Sequence, residues 1–167
     1  MNRILNIYLF LIAILVGLEI CAGVFVAPVI FNPANLIGEG VLTHFQSGQI
    51  MTEIFLRFNK ILLIISILAF IAESINLANK NKNFNIKFST FMLAFINLVL
   101  ALLFIFYFSN YIVNAQQIGP SMTQTASFAQ MHKASEWTMK IMLIAQTFLF
   151  FIKFPSIKNE LNKRLNK

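Results

Sequence analysis

Four long apolar runs occupy most of the 167-residue chain and leave little choice of fold. They cover roughly Ile4–Phe31, Ile50–Leu77, Phe88–Val113 and Ala134–Phe154. Each has at least ~20 residues, enough for a helix rising about 1.5 Å per residue to cross a hydrocarbon core of ~30 Å. The hydrophobic fraction is 58%, well above the roughly 45–50% of a soluble domain. The expected class is an all-α membrane protein, an antiparallel four-helix transmembrane bundle. No loop or tail is long enough to fold separately, so residues 1–167 are expected to form a single four-span membrane domain. Residues 155–167 are left as a basic tail, expected to form a short amphipathic helix on the inner leaflet.

The net charge of +7 suggests a nucleic-acid partner only until the charges are located. Arg3 precedes the first run, Lys80, Lys82 and Lys87 follow the second, and Lys158, Lys163, Arg164 and Lys167 follow the fourth. The segments 32–49 and 114–131 contain no Lys or Arg. That alternation is a topology signal, not a binding stripe, and it puts both termini in the cytoplasm (N-in/C-in). The partners expected are the lipid bilayer and, by self-association or docking, another membrane protein; no nucleic acid is expected. Heavy use of Asn, Lys, Ile and Phe points to an AT-rich bacterial genome, hence to the bacterial cytoplasmic (inner) membrane. Arg3 and the run after it resemble a signal peptide, but the run continues well past the usual h-region, so an uncleaved first span is expected. Cys21 is the only cysteine and can close no internal disulfide.

Ionisable residues inside spans cost roughly 2.5–3.5 kcal/mol on insertion scales and usually face a bundle interior. Glu19 lies ~22 Å from the inner surface by helical rise, and Lys140 lies ~21 Å from it. Arg57 and Lys60 start ~5–9 Å further out, within reach of long side chains. The expectation is a buried ion pair between Glu19 and Lys140, or between Glu19 and Arg57 or Lys60. It is either purely structural or a proton- or cation-coupled site. Glu19 is also expected to share a face with Gly23 and Ala27, at i+4 and i+8. Glu53 with Arg57, and Glu136 with Lys140, are spaced i,i+4 at the outer helix ends. Glu73 and Asn76 are assigned to the inner interface, and Asn97 to an interhelical hydrogen bond.

His44 precedes the second run and His132 the fourth, so both belong to the outer face. Met131 and Met139 lie near the same level. Imidazole with thioether suits copper, and two histidines from different helices can ligate haem iron. No cofactor is expected otherwise. The chain contains no Asp and no Gly-rich phosphate loop, and Cys21 is deep in a span, so no enzymatic activity is expected.

The segment Gly23–Phe31 resembles the end of the first helix in the bacterial family called domain of unknown function 4149, itself similar to eukaryotic transmembrane protein 205. Phe128–Ser135 resembles the stretch leading into that family's last helix, and Asn110–Gln117 resembles the end of its third. Met131 stands where that pattern commonly has Leu, and Met139 where it has Asn. The resemblance implies the four-helix architecture and no established activity. The general look is also similar to copper-resistance membrane proteins with histidines at the outer face. The function expected is that of a structural, partner-binding or small-solute/ion-handling membrane component. The alternative is a copper- or haem-binding membrane protein using His44 and His132.

Overall fold

The computed structural model describes residues 2–78 and 84–165, with side chains described for 6–34, 36–78 and 84–155. Helix α1 (Asn2–Ile20) passes through a π-helical segment (Cys21–Val26) into α2 (Ala27–Phe31). A short α3 (Ala34–Ile37) ends at Gly38, whose φ of +93° suits glycine. Helix α4 spans His44–Ala78, and α5 (Phe84–Leu103) continues through a second π segment (Phe104–Ser109) into α6 (Asn110–Ile118). Gly119, at φ +118°, reverses the chain into α7 (Pro120–Thr123), and α8 runs over Ala126–Leu165. Among the described residues there is no strand. Four helical stretches are long and apolar enough to cross a membrane: Asn6–Phe31, His44–Ala78, Phe84–Ile118 and Ala126–Pro155.

Two of these helices begin earlier than their apolar runs suggest, and side-chain caps explain why. Thr43 and Gln46 form a reciprocal capping box. The Gln46 backbone N–H donates to Thr43 Oγ1 (3.2 Å), and the Thr43 backbone N–H donates to Gln46 Oε1 (2.9 Å). Helix α4 therefore starts at His44, before its apolar run begins at Ile50. Thr125 Oγ1 accepts from the Phe128 backbone N–H (3.2 Å) and caps α8 in the same way. Both histidines consequently sit on helices that are continuous with the core. At the other end, α8 runs through Pro155 to Leu165, so the tail is helical in its backbone. The side chains that would make it amphipathic lie outside the described residues, as do Lys80 and Lys82 after the second run.

The core follows the logic of helices in lipid, with small and polar residues inside and large apolar ones outside. Ala69, Ala94, Ala101 and Ala145 are buried, as are Ser66, Thr90 and Asn97. Phe10, Phe25, Phe106, Phe148 and Phe151 are exposed. Two apolar clusters fill the interior, one around Leu15, Phe58, Leu62 and Phe104 and one around Leu9, Ile12, Ala94 and Leu149. Bonds between α4 and the third span join residue 73 to 90, 59 to 109 and 52 to 116, so numbers fall on one helix as they rise on the other.

Candidate functional site: a buried polar stripe and a terminal cavity

Along α4, Thr52, Asn59, Ser66 and Glu73 recur every seven residues. The third span answers with Thr90, Asn97, Ser109 and Gln116, and α8 with His132, Met139, Gln146 and Lys153. A seven-residue repeat keeps one face of a helix toward its neighbours, so on α4 and α8 these residues form successive layers about 10.5 Å apart. The third span shows one irregularity. From Thr90 to Asn97 to Phe104 the step is seven, but Ser109 follows Phe104 by five. This step falls in the π segment, where Ser109 Oγ donates to the Phe104 carbonyl at 3.0 Å, five residues back.

The first layer is a buried charge network. Lys153 Nζ lies 2.7 Å from Glu73 Oε2, and both side chains are almost wholly enclosed. Thr90 Oγ1 (2.7 Å) and Asn76 Nδ2 (3.2 Å) donate to the same oxygen. The Tyr8 hydroxyl faces the Glu73 carboxylate without meeting hydrogen-bond geometry. Buried Lys87 donates from Nζ to the Leu77 carbonyl at 3.2 Å. All four spans thus contribute here, and Glu73 is core rather than interfacial as its position in the sequence suggested. An ammonium and two further donors on one carboxylate replace the water that burial removes.

The second layer holds Glu19, only 4% exposed. Gln146 Nε2 donates to Glu19 Oε1 at 2.9 Å. The expected cations lie elsewhere. Arg57 Nε pairs with Glu53 Oε1 at 2.9 Å on the exposed face of α4. Lys140 Nζ approaches Glu136 Oε2 at 3.5 Å and sits 5.2 Å from the Trp137 ring centroid. Lys60 is exposed. Among the described residues no cation pairs with Glu19, because i,i+4 partners on their own helices hold Arg57 and Lys140 outside the bundle. The face expected to join Glu19 to Gly23 is also broken, since the π segment exposes Gly23 and buries Ala22 instead. Glu19 Oε2, Gln146 Oε1, Asn97 Oδ1 and Asn59 Oδ1 are buried acceptors with no donor among the described residues. Asn97 donates to its own helix, at the Leu93 carbonyl (3.0 Å), rather than across the bundle. Asn59 Nδ2 reaches Ser109 Oγ at 2.9 Å.

At the opposite end from Glu73 the stripe opens into a cavity of about 200 Å³. Ser109, Thr52 and Gln116 line it, with Gln116 Nε2 donating to Thr52 Oγ1 at 3.0 Å. His44, His132 and Met139 line it too, so the structure brings three of the four residues named for a metal or haem to one cavity. Met131 packs against the apolar core instead. His44 leans on Phe31 with ring centroids 5.3 Å apart, and His132 stacks on Phe128 at 6.1 Å. His132 Nε2 is 3.4 Å from Glu136 Oε1. Among the described residues no three His, Cys, Asp or Glu side chains gather as a metal-ligand set.

Reading polar residues one at a time missed Gln146, Lys153, Thr90 and the Asn59–Ser109 pair. The seven-residue spacing of Thr52, Asn59, Ser66 and Glu73 inside an apolar run was the signal that could have found them. No curated protein and no solved structure matches the chain. A family model described as a domain of unknown function matches residues 10–121, which hold Glu19, the whole of α4 and the third span of the stripe. The chain therefore belongs to the DUF4149 family.

Proposed function

We propose that the protein is a proton- or small-ion-handling component of the bacterial inner membrane, with antiparallel spans and an N-in/C-in orientation, and that it catalyses no covalent reaction. The observation that carries this reading is Glu19, a carboxylate buried within a span with a neutral amide as its partner. An ionised carboxylate there would leave Oε2 without a donor, alongside an equally orphaned Gln146 Oε1. One proton resolves both. Placed on Glu19 Oε2 and donated to Gln146 Oε1, it completes a two-point acid–amide pair with the Gln146 N–H already present. Loss of that proton restores a costly buried charge, so uptake and release are coupled to any movement that admits water. Ser66 and Asn97 are buried as well, and the Asn59–Ser109 bond reaches the cavity lining, giving a proton or small ion polar groups to follow.

The test uses purified protein in lipid vesicles loaded with a pH-sensitive dye and given an external acid pulse. Wild-type vesicles should acidify faster than protein-free vesicles, and Glu19→Gln should return the rate to the protein-free value. Equal rates for the two proteins would refute the reading. Self-association, or docking on a membrane-protein partner, fits a bundle with so small an interior.

A second reading is favoured by one observation: His44, His132 and Met139 line a common cavity. It makes the protein a copper-binding membrane component, thioether and imidazole being ligands that suit Cu(I). A volume of about 200 Å³ is below the roughly 300 Å³ at which ligand pockets begin, and favours a metal ion over haem. Copper retained at one per chain, and lost in a His44→Ala plus His132→Ala protein, is the expected result. A metal-free protein after growth in copper ends this reading.

A further inference from the structure

The lining of the terminal cavity has a charge character that neither reading above uses. Five phenylalanines border it: Phe31, Phe45, Phe55, Phe104 and Phe128. Phe55 and Phe104 meet edge to face, with centroids 5.9 Å apart. The lining includes one carboxylate, Glu136, and no Lys or Arg. Aromatic faces carry the negative side of a quadrupole, so a ring face turned to the cavity acts with the same sign as the carboxylate. The volume exceeds the roughly 150 Å³ that accepts benzene and falls short of a drug-sized pocket.

Glu136 is open to a competitor for its contacts. It is about half exposed, with His132 at 3.4 Å and Lys140 at 3.5 Å, both longer than a good charge-assisted bond. An ammonium at the cavity mouth can therefore take the carboxylate while its alkyl groups pack on the rings. Thr52, Ser109 and Gln116 also line the cavity and offer hydrogen-bonding groups for a polar substituent.

We propose that this cavity binds a small organic ammonium ion, held by the phenylalanine rings and by Glu136. The ion is either soluble or the trimethylammonium headgroup of a lipid, since the recognition chemistry is the same. This inference stands apart from the proton site at Glu19, which does not line the cavity.

Choline is the probe, and its neutral alcohol analogue with carbon in place of nitrogen is the control. Full-length protein in phosphatidylglycerol nanodiscs is titrated with each by calorimetry. Choline should bind at least about tenfold more tightly than the neutral analogue. Glu136→Gln and Phe128→Leu should each weaken it about fivefold to tenfold, the size of one partly desolvated cation–π or ion-pair contact. Glu136 is exposed, so its variant keeps the test informative if Phe128→Leu does not fold. Repeating the titration in phosphatidylcholine nanodiscs separates the sources. Loss of choline binding there assigns the ammonium to a headgroup, and persistence assigns it to a soluble ion. Equal affinity for the neutral analogue overturns the proposal, as does wild-type affinity in the folded variants. So does a protein that ignores choline but holds copper through His44 and His132.

Discussion

Removing one partner of the Glu73–Lys153 pair should be among the most damaging single changes the chain can suffer, and removing both should be far milder. The carboxylate accepts from Lys153 Nζ and Thr90 Oγ1 at 2.7 Å each and from Asn76 Nδ2 at 3.2 Å. Glu73→Leu takes away the carboxylate that Lys153 reaches, and removing one partner of a buried ion pair costs about 3–5 kcal/mol. Lys153→Met leaves the Glu73 charge on two neutral donors and belongs to the same range. In the double variant the volume stays filled by apolar side chains. Thr90 keeps a partner because its hydroxyl also lies 3.2 Å from the Lys87 carbonyl. Asn76 is near the helix end and carries the remaining loss. The double variant should therefore unfold within about 1–2 kcal/mol of wild type, for a coupling energy of several kcal/mol. Denaturant titration in mixed micelles, followed by Trp137 fluorescence and circular dichroism, measures each corner of the cycle. Single costs that simply add in the double variant would show that charge pairing is not what holds this end together.

Three further outcomes follow from the same geometry. Infrared spectra of the purified protein at neutral pH should contain a protonated carboxyl band that shifts in deuterated water and is missing from Glu19→Gln; its persistence in that variant would remove Glu19 as the source. Replacing Lys140 or Arg57 by Ala should change stability by no more than about 0.5 kcal/mol and leave that band in place, because both belong to exposed i,i+4 pairs. A loss of the band in either variant would revive the pairing with Glu19. Gly119→Ala should cost about 1–3 kcal/mol, since the backbone at φ +118° and ψ −173° is a region other residues scarcely enter; unchanged melting would mean that the turn relaxes freely.

The spans themselves were legible because length and hydropathy alone define a helix that crosses lipid. Which side of each helix faces inward was not. In water an apolar stripe marks the core, but here the outward face is apolar too, as exposed Phe106, Phe148 and Phe151 show. The information lies in the minority residues, Thr52, Asn59, Ser66 and Glu73, and only in their spacing. Depth counting placed Glu19 and Lys140 at one level, but depth carries no direction around a helix. Gln146 was passed over because an amide in an apolar run is less conspicuous than a charge. Nearness to a helix end assigns Glu73 to the interface, whereas the side chains of Tyr8, Thr90 and Lys87 close over that end. The histidines illustrate a further limit. Their shared cavity depends on caps at Thr43 and Thr125 that start α4 and α8 early enough to bring them into line.

The π segment at Phe104–Ser109 has a consequence for how such a chain can change by insertion and deletion. A helix advances about 100° per residue, so one residue lost from this segment would turn everything beyond it by about that angle. The span would still be long enough to cross, and its hydropathy would hardly alter. Yet the hydroxyl that meets Asn59 and the amide that meets Thr52 would swing off the shared face, and the cavity would be relined at a stroke. A one-residue indel here acts as a dial on the cavity end of the bundle, leaving the charged end at Glu73 and Lys153 where it is.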